Sequence, residues 1–582
     1  MPRGRGVLFV LALVVLVSAR AVPADVLIFR PRIGVPAFAE TGGVFNAEVV
    51  ASAGLSSNEW TAKLVNDLRA WTNCVVEQAQ HGWYVYNNSA TGWQLRIRVP
   101  AGISPELFKL VVSHPSGGTA TNLHAVQIVP ALETDFYILH YADPQASASN
   151  ALYASGMNSP YGSIQELYWH APVFNLINPR FLFDTGDEMD DGDVDTANRY
   201  RQYLNAMETL TVPLLITRGN NDRGDFNHWK ANLGQATYSI TLGSFYIGVK
   251  DYNSNEQLEW FTNDYASSFS DPSITFRLFG QHYSSGGSSY APAAGQYPSL
   301  MLVGHGHTFT TMQTSPYYVL QSGPAHNYGG TALFEFRKSG TNWLSPGTTN
   351  HPAGTRFYAV GDWGAPLVSN AFASANNGSP YANTATITNG LGLDFWDGRV
   401  RFLLRHARRG YQVAGGEKLA EYDYADGSNT AVLVRVNIAR GTSTVVSVYR
   451  VDSDDDGMPD DWEQTNFHDL VTATATSDYD HDAQLDWEEY VTGSQPTNVA
   501  SVWGLSHDPA DAATNRFVIR WLSASNRLYD VFQTTSLLDS FGPLSTDLPS
   551  SPPENAYTDT VYGAEPASFY RVRVREPFND EP

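Results

Sequence analysis

Phe181-Leu182-Phe183-Asp184-Thr185-Gly186-Asp187-Glu188-Met189-Asp190 reads as a short apolar strand running into a glycine-opened turn that carries carboxylates. The same texture lies on both sides of it, in Phe136-Tyr137-Ile138-Leu139-His140 upstream and Val212-Pro213-Leu214-Leu215-Ile216 downstream. It continues through Phe245-Tyr246-Ile247-Gly248-Val249, Ile274 to Phe279, and Leu302-Val303. Between the strands, Asp195 is placed to cap a helix through Leu210, with Tyr200, Tyr203, Leu204 and Met207 on one face. A second helix is expected near Leu258 to Phe261. Strands alternating with helices predict a layered α/β domain over residues 131–340.

Outward from that domain the pattern changes. Alternating runs such as Trp93 to Val99 and Phe108 to Val112, broken by Gly, Pro, Ser and Asn, predict an N-terminal β-sandwich of the Ig-like kind over 25–130. Residues 341–450 return to β alternation, 451–497 are acidic, and 498–582 read as a small C-terminal β module. Residues 1–24 have a basic start, eleven apolar residues from Val7 to Val17 and an A-x-A-like end, the pattern of a signal peptide. That run is too short for the about 20 residues a membrane span needs. The expected place of work is therefore outside the cytoplasm, secreted, periplasmic or at the cell surface. Cys74 is the only cysteine, so no intrachain disulfide is available, and a small buried apolar role is the better reading for it.

The 582 residues predict roughly three to five domains at about 100–200 residues each. With 42% apolar, 16% charged and 13% aromatic residues, long disorder and a multi-pass membrane protein are excluded. The formal net charge of -23 disfavours generic nucleic-acid binding.

Ligand-type side chains stand where the apolar strands end: Asp143, Asp187, Asn220, His282, His305 and His307. Residues at the carboxyl ends of strands in an open α/β sheet line one crevice. Carboxylates, an amide oxygen and three imidazoles form a mixed oxygen and nitrogen set suited to transition ions rather than calcium.

In order along the chain, these residues resemble the calcineurin-like metallophosphoesterases, whose pattern is D-x-H, G-D-x-x-D, G-N-H-D/E, a lone His, and G-H-x-H. The resemblance covers about 210 residues, 131 to 340, and implies a four-layer α-β-β-α sandwich. It also implies two divalent or trivalent transition metal ions (Mn, Fe or Zn). Asp187 would bridge the ions, Asp143 and His307 would complete one site, and Asn220, His282 and His305 the other. Such a pair, about 3.5 to 4 Å apart, polarises phosphoryl oxygens and holds a hydroxide for in-line attack. Two positions depart from the pattern. Gln145 stands for the D-x-H histidine, a poorer metal ligand. Asn221 stands for the G-N-H histidine that contacts the phosphate in the family, and an amide donates a hydrogen bond but transfers no proton.

Asp452 to Glu463 fits the twelve-residue calcium loop, with Asp452, Asp454, Asp456, Asp460 and Glu463 as oxygen donors, the Met458 carbonyl at position 7, and Gly457 at position 6. Asp478, Asp480, Asp482, Gln484 (carbonyl), Asp486 and Glu489 repeat the spacing, with Ala483 in the glycine position. A strand-like Val445 to Arg450 precedes the first loop where an EF-hand has a helix. The tandem thus resembles the half EF-hands of dockerin or thrombospondin type 3 repeats, with calcium in a structural, domain-joining role. The basic stretch Arg399, Arg401, Arg405, His406, Arg408 and Arg409 reads as a solvated strand face.

The whole resembles large secreted bacterial phosphoesterases that hydrolyse phosphomonoesters or phosphodiesters, with activity reduced by Gln145 and Asn221. The expected partner is a small or polymeric phosphoester. The alternative is a catalytically impaired surface or binding protein on a phosphoesterase scaffold, associated with the cell surface. A carbohydrate-binding adhesin rests only on the aromatic, β-rich flanks.

Overall fold

The computed structural model describes residues 26–576 except 67, 69–70, 86–89, 146–163, 190–195, 223–225, 254–256, 285–291, 314, 324–330, 345–356, 360, 363–364, 508–516 and 563–564. The leader-like segment 1–24, Asp190 and the helix-capping Asp195 lie outside the described residues. What is described is multidomain and mostly β with few helices.

Long alternating segments build the first unit. Trp71–Val85 pairs with Thr61–Val65 through its first residues and with Ala90–Arg98 through the rest, so one strand serves both halves of an eight-stranded arrangement. Phe45, Trp60, Trp93, Leu95, Leu110 and Ile128 fill its interior. Cys74 is half-buried on that strand, and burial pushes its thiol up to about 11, which keeps it protonated and unreactive.

Two six-stranded sheets form the centre. In the first, Leu214–Ile216, Leu182–Asp184 and Phe136–Tyr141 are parallel neighbours, and Ala332–Ser339 joins antiparallel. Phe357–Ala359 also pairs with Ala332–Ser339. In the second, Phe245–Lys250, Phe276–Gln281, Leu300–Val303 and Tyr318–Gln321 run parallel, with antiparallel strands at both edges. Every residue of Phe136–Tyr141 is buried, because successive side chains point to opposite faces and both faces are covered. Phe136 and Ile138 join Phe183, Leu215, Ile247 and Leu278 in a core shared by the two sheets. Tyr137, Leu139 and Tyr141 face helices Ile164–Ile177 and Thr196–Met207. On the far side of the second sheet, Phe279, Met301 and Val303 pack on Phe261 and Tyr265 of helix Leu258–Ser270.

Helix Ile164–Ile177 is covered twice. Its Phe174 and Ile177 belong to a core that continues into Phe395, Phe402, Val434 and Val448 of the following β unit. That unit has two sheets, Val368–Phe372, Asn383–Asn389, Thr442–Arg450 and Tyr411–Ala414 against Phe395–Arg405, Asn429–Ile438 and Glu417–Asp423. A last module of two three-stranded sheets closes over Ile519, Trp521, Tyr529 and Val531. Among the described residues, no helix is long and apolar enough to cross a membrane.

The parallel strands are close-packed up to the residue before the ligand-type side chains. A Cβ at Gly280, two residues before His282, would lie 2.1 Å from the ring of buried Phe183. Gly280→Ala is expected to destabilise the central domain by about 1–3 kcal/mol through overpacking. Urea unfolding followed by tryptophan fluorescence checks this; an unchanged midpoint contradicts it.

Candidate metal centre and acidic loops

The carboxyl ends of the parallel strands deliver the side chains. Asp143, Asp187 and Asn220 follow strands of the first sheet, and His282, His305 and His307 follow strands of the second. Backbone and side-chain hydrogen bonds lace the loops together. Asp143 and Gln145 donate N–H to the carbonyls of Gly186 and Asp187, both at 2.9 Å. His305 N–H donates to Asp143 Oδ2 at 2.9 Å. Asp222, buried, accepts from the N–H groups of Asp187, Gly219 and Met189 at 3.0, 2.9 and 3.0 Å. Gly219 is obligatory there, since a Cβ would sit 2.2 Å from both the Asp187 nitrogen and its Oδ1.

Asp187 is the hub. It is 1% exposed. Its Oδ1 accepts the Asn221 N–H at 2.7 Å and lies 3.4 Å from His282 Nε2. Its Oδ2 accepts from Asn221 Nδ2 at 3.0 Å and Gln145 Nε2 at 3.4 Å. On one side stand Asp143 and His307, 3.3 Å apart, with Gln145 Nε2 3.3 Å from His307 Nε2. On the other, Asn220 Oδ1 is 3.0 Å from His282 Nε2 and accepts the Tyr283 hydroxyl at 3.0 Å. Ligand atoms of Asp187, His282 and His305 all lie within 4.8 Å of one another. All seven residues singled out at this centre, and Asn221, are therefore brought into one place.

The donor set fits a transition ion. His282 Nδ1 is 2.8 Å from the Thr185 carbonyl, which can only accept, so Nδ1 carries a proton and Nε2 is turned toward Asp187. Burial works against charge at both partners. It would raise Asp187, yet the His282 ring, the Asn221 N–H and the Gln145 amide hold that carboxyl below its ordinary range. Burial would lower His282, but Asp187, then Asp143, push it up to about 9. Burial lowers His305, whereas the Asp143 hydrogen bond raises His307. Asp143, Gln145, Asp187, His305 and His307 have φ of 52°, 43°, 63°, 67° and 50°, the left-handed region that side-chain-bearing residues avoid. His140 is a core histidine, 3.0 Å from Thr185 Oγ1 and driven down to about 3 by burial.

Three participants were not singled out from the sequence. Asp222 directly follows Asn220 and Asn221 in the sequence. Tyr283 and Thr185 carry no motif signal. The Tyr283 ring lies 4.2 Å from that of His305 and 6.1 Å from that of Tyr252, an aromatic wall beside the imidazoles.

The acidic loops repeat one geometry. In each, the position 1 carboxylate accepts the position 6 N–H (Gly457 to Asp452, Ala483 to Asp478), at 3.0 and 3.1 Å. The position 5 carboxylate accepts the position 7 N–H (Met458 to Asp456, Gln484 to Asp482), at 2.8 and 2.7 Å. Asp460 and Asp486 accept the position 2 N–H, at 2.7 and 3.0 Å. Positions 4 and 6 are left-handed in both, Asp455 and Gly457 at 64° and 101°, His481 and Ala483 at 64° and 77°. Oxygens of Asp452, Asp454 and Asp456, and of Asp478, Asp480 and Asp482, form two groups compact enough for an ion. Both carboxylate oxygens of Glu463 are buried without a hydrogen-bond partner, as are Asp456 Oδ2, Asp480 Oδ2 and Asp482 Oδ2. Strand Thr442–Arg450 precedes the first loop, and the seven-residue helices Asp460–Asn466 and Asp486–Thr492 begin at position 9 of each loop.

No family model and no curated protein matches the chain. Among solved structures, it is similar to the purple acid phosphatase PPD1 from yellow lupin (Lupinus luteus) seeds, at 13% identity over 72% of this chain and 75% of that one, with a TM-score of 0.29. A conserved uncharacterized protein from Streptococcus pneumoniae, described as a predicted phosphoesterase, matches at 11% identity over 36% of this chain and 97% of its own, TM-score 0.18. Zinc-complexed Vps29 from Entamoeba histolytica matches at 11% identity over 36% and 96%, TM-score 0.17.

Proposed function

We propose that the chain is a secreted metal-dependent phosphoesterase, hydrolysing phosphomonoesters or phosphodiesters at a dinuclear centre. The observation that supports it is Asp187, one buried carboxylate faced from both sides by imidazole and amide groups of two sheets. The two sheets and their outer helices are taken as the four-layer sandwich. The chain is taken to divide at 24, 130, 340, 450 and 497. When bound, two divalent or trivalent ions supply the Lewis acidity and the activated water. Asp187 would serve both ions, Asp143 and His307 would hold one, and Asn220, His282 and His305 the other. Gln145 presents its amide nitrogen to Asp187 and His307, so it serves this centre as a hydrogen-bond donor and ligates only with its oxygen turned inward. Asn221 steadies Asp187 and offers the leaving oxygen a hydrogen bond at most. Substrates whose leaving groups need no proton are favoured.

The second reading, a binding protein with little turnover, is favoured by one contact: the Asn221 amide that replaces an acid is engaged by Asp187. One experiment separates the two. Native protein is expected to retain two transition ions by elemental analysis and to cleave an activated aryl phosphodiester. Gln145→His with Asn221→His should then change that activity modestly. Protein that holds two ions yet cleaves nothing until both histidines are restored supports the binding protein, and no cleavage with any divalent ion sinks the hydrolase.

Tyr283 orients Asn220 through its hydroxyl. Groups in this outer role are worth about 10–100-fold in metal affinity. Tyr283→Phe is therefore expected to weaken one of two manganese sites by that factor in a calorimetric titration; two unchanged sites refute the role.

The acidic loops bind calcium in this proposal, through Asp452, Asp454, Asp456, the Met458 carbonyl, Asp460 and Glu463, and through Asp478, Asp480, Asp482, the Gln484 carbonyl, Asp486 and Glu489. Association with the cell surface would fall to the β modules. Burial, then the neighbouring carboxylates, pushes Glu463 up to about 8, Glu489 up to about 7 and Asp456 up to about 6. Raised folded-state values mean that calcium-free stability is complete below the unfolded values and is lost as pH rises through about 6 to 8. Calcium replaces the missing protons. The rise in melting temperature on adding calcium should grow from pH 5.5 to 8.5 and vanish in Glu463→Gln with Glu489→Gln; a gain that is flat with pH contradicts this.

A further inference from the structure

Arg409 reads in the sequence as one member of a solvated basic face, but its side chain is only 11% exposed. It lies between strands Phe395–Arg405 and Tyr411–Ala414 and reaches three carboxylate-bearing or aromatic partners. Its Nη1 donates to Glu576 Oε2 at 3.0 Å and to the Tyr490 hydroxyl at 3.3 Å, and its Nε lies 3.6 Å from Asp452 Oδ2, position 1 of the first acidic loop. The Tyr490 hydroxyl in turn donates to Glu576 Oε1 at 2.5 Å. From the last module, Arg527 donates to the carbonyls of Val491 and Tyr490 at 2.8 and 3.0 Å, and its Nη1 is 3.5 Å from Glu576 Oε1. Both guanidiniums sit 5.0 Å from the centroid of the Tyr490 ring. Trp462, on the helix that begins within the first loop, packs edge-on against that ring at 5.4 Å.

These contacts converge from three parts of the chain: Arg409 from the β unit over 368–450, Trp462 and Tyr490 from the two acidic loops, and Arg527 and Glu576 from the C-terminal module. Gln484, position 7 of the second loop, adds a reciprocal pair with the backbone of Trp503, at 3.1 and 2.8 Å. Tyr490 directly follows Glu489, position 12 of the second loop. Glu489 and Glu463 are both fully buried, and the oxygens of Glu463 accept no hydrogen bond, so the loop interiors hold carboxyl oxygens for which the protein supplies no donor. A seven-residue helix such as Asp486–Thr492 is too short to persist by itself. What holds Glu489 inward therefore also holds Tyr490 in place.

We propose that Tyr490, Arg409, Arg527 and Glu576 form a calcium-set clasp: two bound calcium ions fix the loops so that Tyr490 locks the C-terminal module onto the 368–450 unit, and loss of calcium frees the module. This rests on the calcium reading of the loops, and its test separates the two. The full-length protein, wild type and Glu576→Gln and Tyr490→Ala, is titrated with calcium chloride to count ions. Release of the C-terminal module by limited proteolysis is then timed with and without 1 mM calcium, a rate that follows the population of the open form.

Wild type is expected to bind two ions and to release the module at least about tenfold more slowly with calcium, an opening cost of about 1.4 kcal/mol. Both variants should still bind two ions yet release it with calcium as fast as wild type does without. Should Tyr490→Ala fail to fold, Glu576→Gln, which removes only a charge, decides. Two bound ions with an unchanged wild-type release rate, or full calcium protection in Glu576→Gln, overturns the clasp and leaves the calcium sites standing. No bound calcium in wild type overturns both.

Discussion

A single carboxylate, buried at the end of a strand and turned into the left-handed region, sets the terms for the centre of this molecule. Asp187 cannot be removed from water without donors, because an unmatched buried charge costs several kcal/mol. The donors it meets come from far along the chain: Gln145, Asn221 and His282. Only two sheets that end at the same edge can deliver them together. The close approach of Gly219, the bracing by Asp222 and the aromatic core between the sheets all serve that delivery. Five left-handed residues, the hub among them, each costing about 1–3 kcal/mol, persist because the packed strands behind them leave no alternative path for the loops.

Much of this was legible beforehand, and for a physical reason. Strands buried on both faces read as unbroken apolar runs, and the polar residues within a few positions of the end of such a run mark the strand end; Asp143, Asp187, His282 and His305 all stand there. Asp222 was visible but unweighted, because a carboxylate that accepts three backbone N–H groups looks in sequence like any acid in a turn. Tyr283 was hidden, since its meaning depends on where Asn220 lies, 63 positions upstream. Arg409 was misjudged for the same reason. Alternation near Arg399 and Arg401 predicts a strand face, and the strand Phe395–Arg405 is there, but Arg399 is only 8% exposed against Asp397, so alternation gives the face and not what covers it.

Gln145 and Asn221 acquire a sharper meaning from their contacts. Both place amide nitrogens against Asp187 or His307, so they stabilise the carboxylate without carrying charge and without a proton to give. Titration at the centre then falls to His282, His305 and His307, which burial and the two aspartates pull in different directions. Beneath them Asp184 and Glu188 are fully buried carboxyls driven well above their ordinary range by desolvation and then by the neighbouring Asp222, so they add little negative charge under the hub.

The hub and the acidic loops therefore solve one electrostatic problem in opposite ways. At Asp187 the protein supplies imidazole and amide donors of its own, and the carboxyl stays below its usual range although burial opposes ionisation. At Glu463 the protein supplies none; both oxygens are unpartnered and the group rises to about 8. A fold that answers its own buried charge keeps its shape whether or not ions arrive. A loop that leaves the charge unanswered depends on protons or on a cation from solution. The hub is thus built to hold its shape without ions, whereas the loops leave Glu463 without a donor.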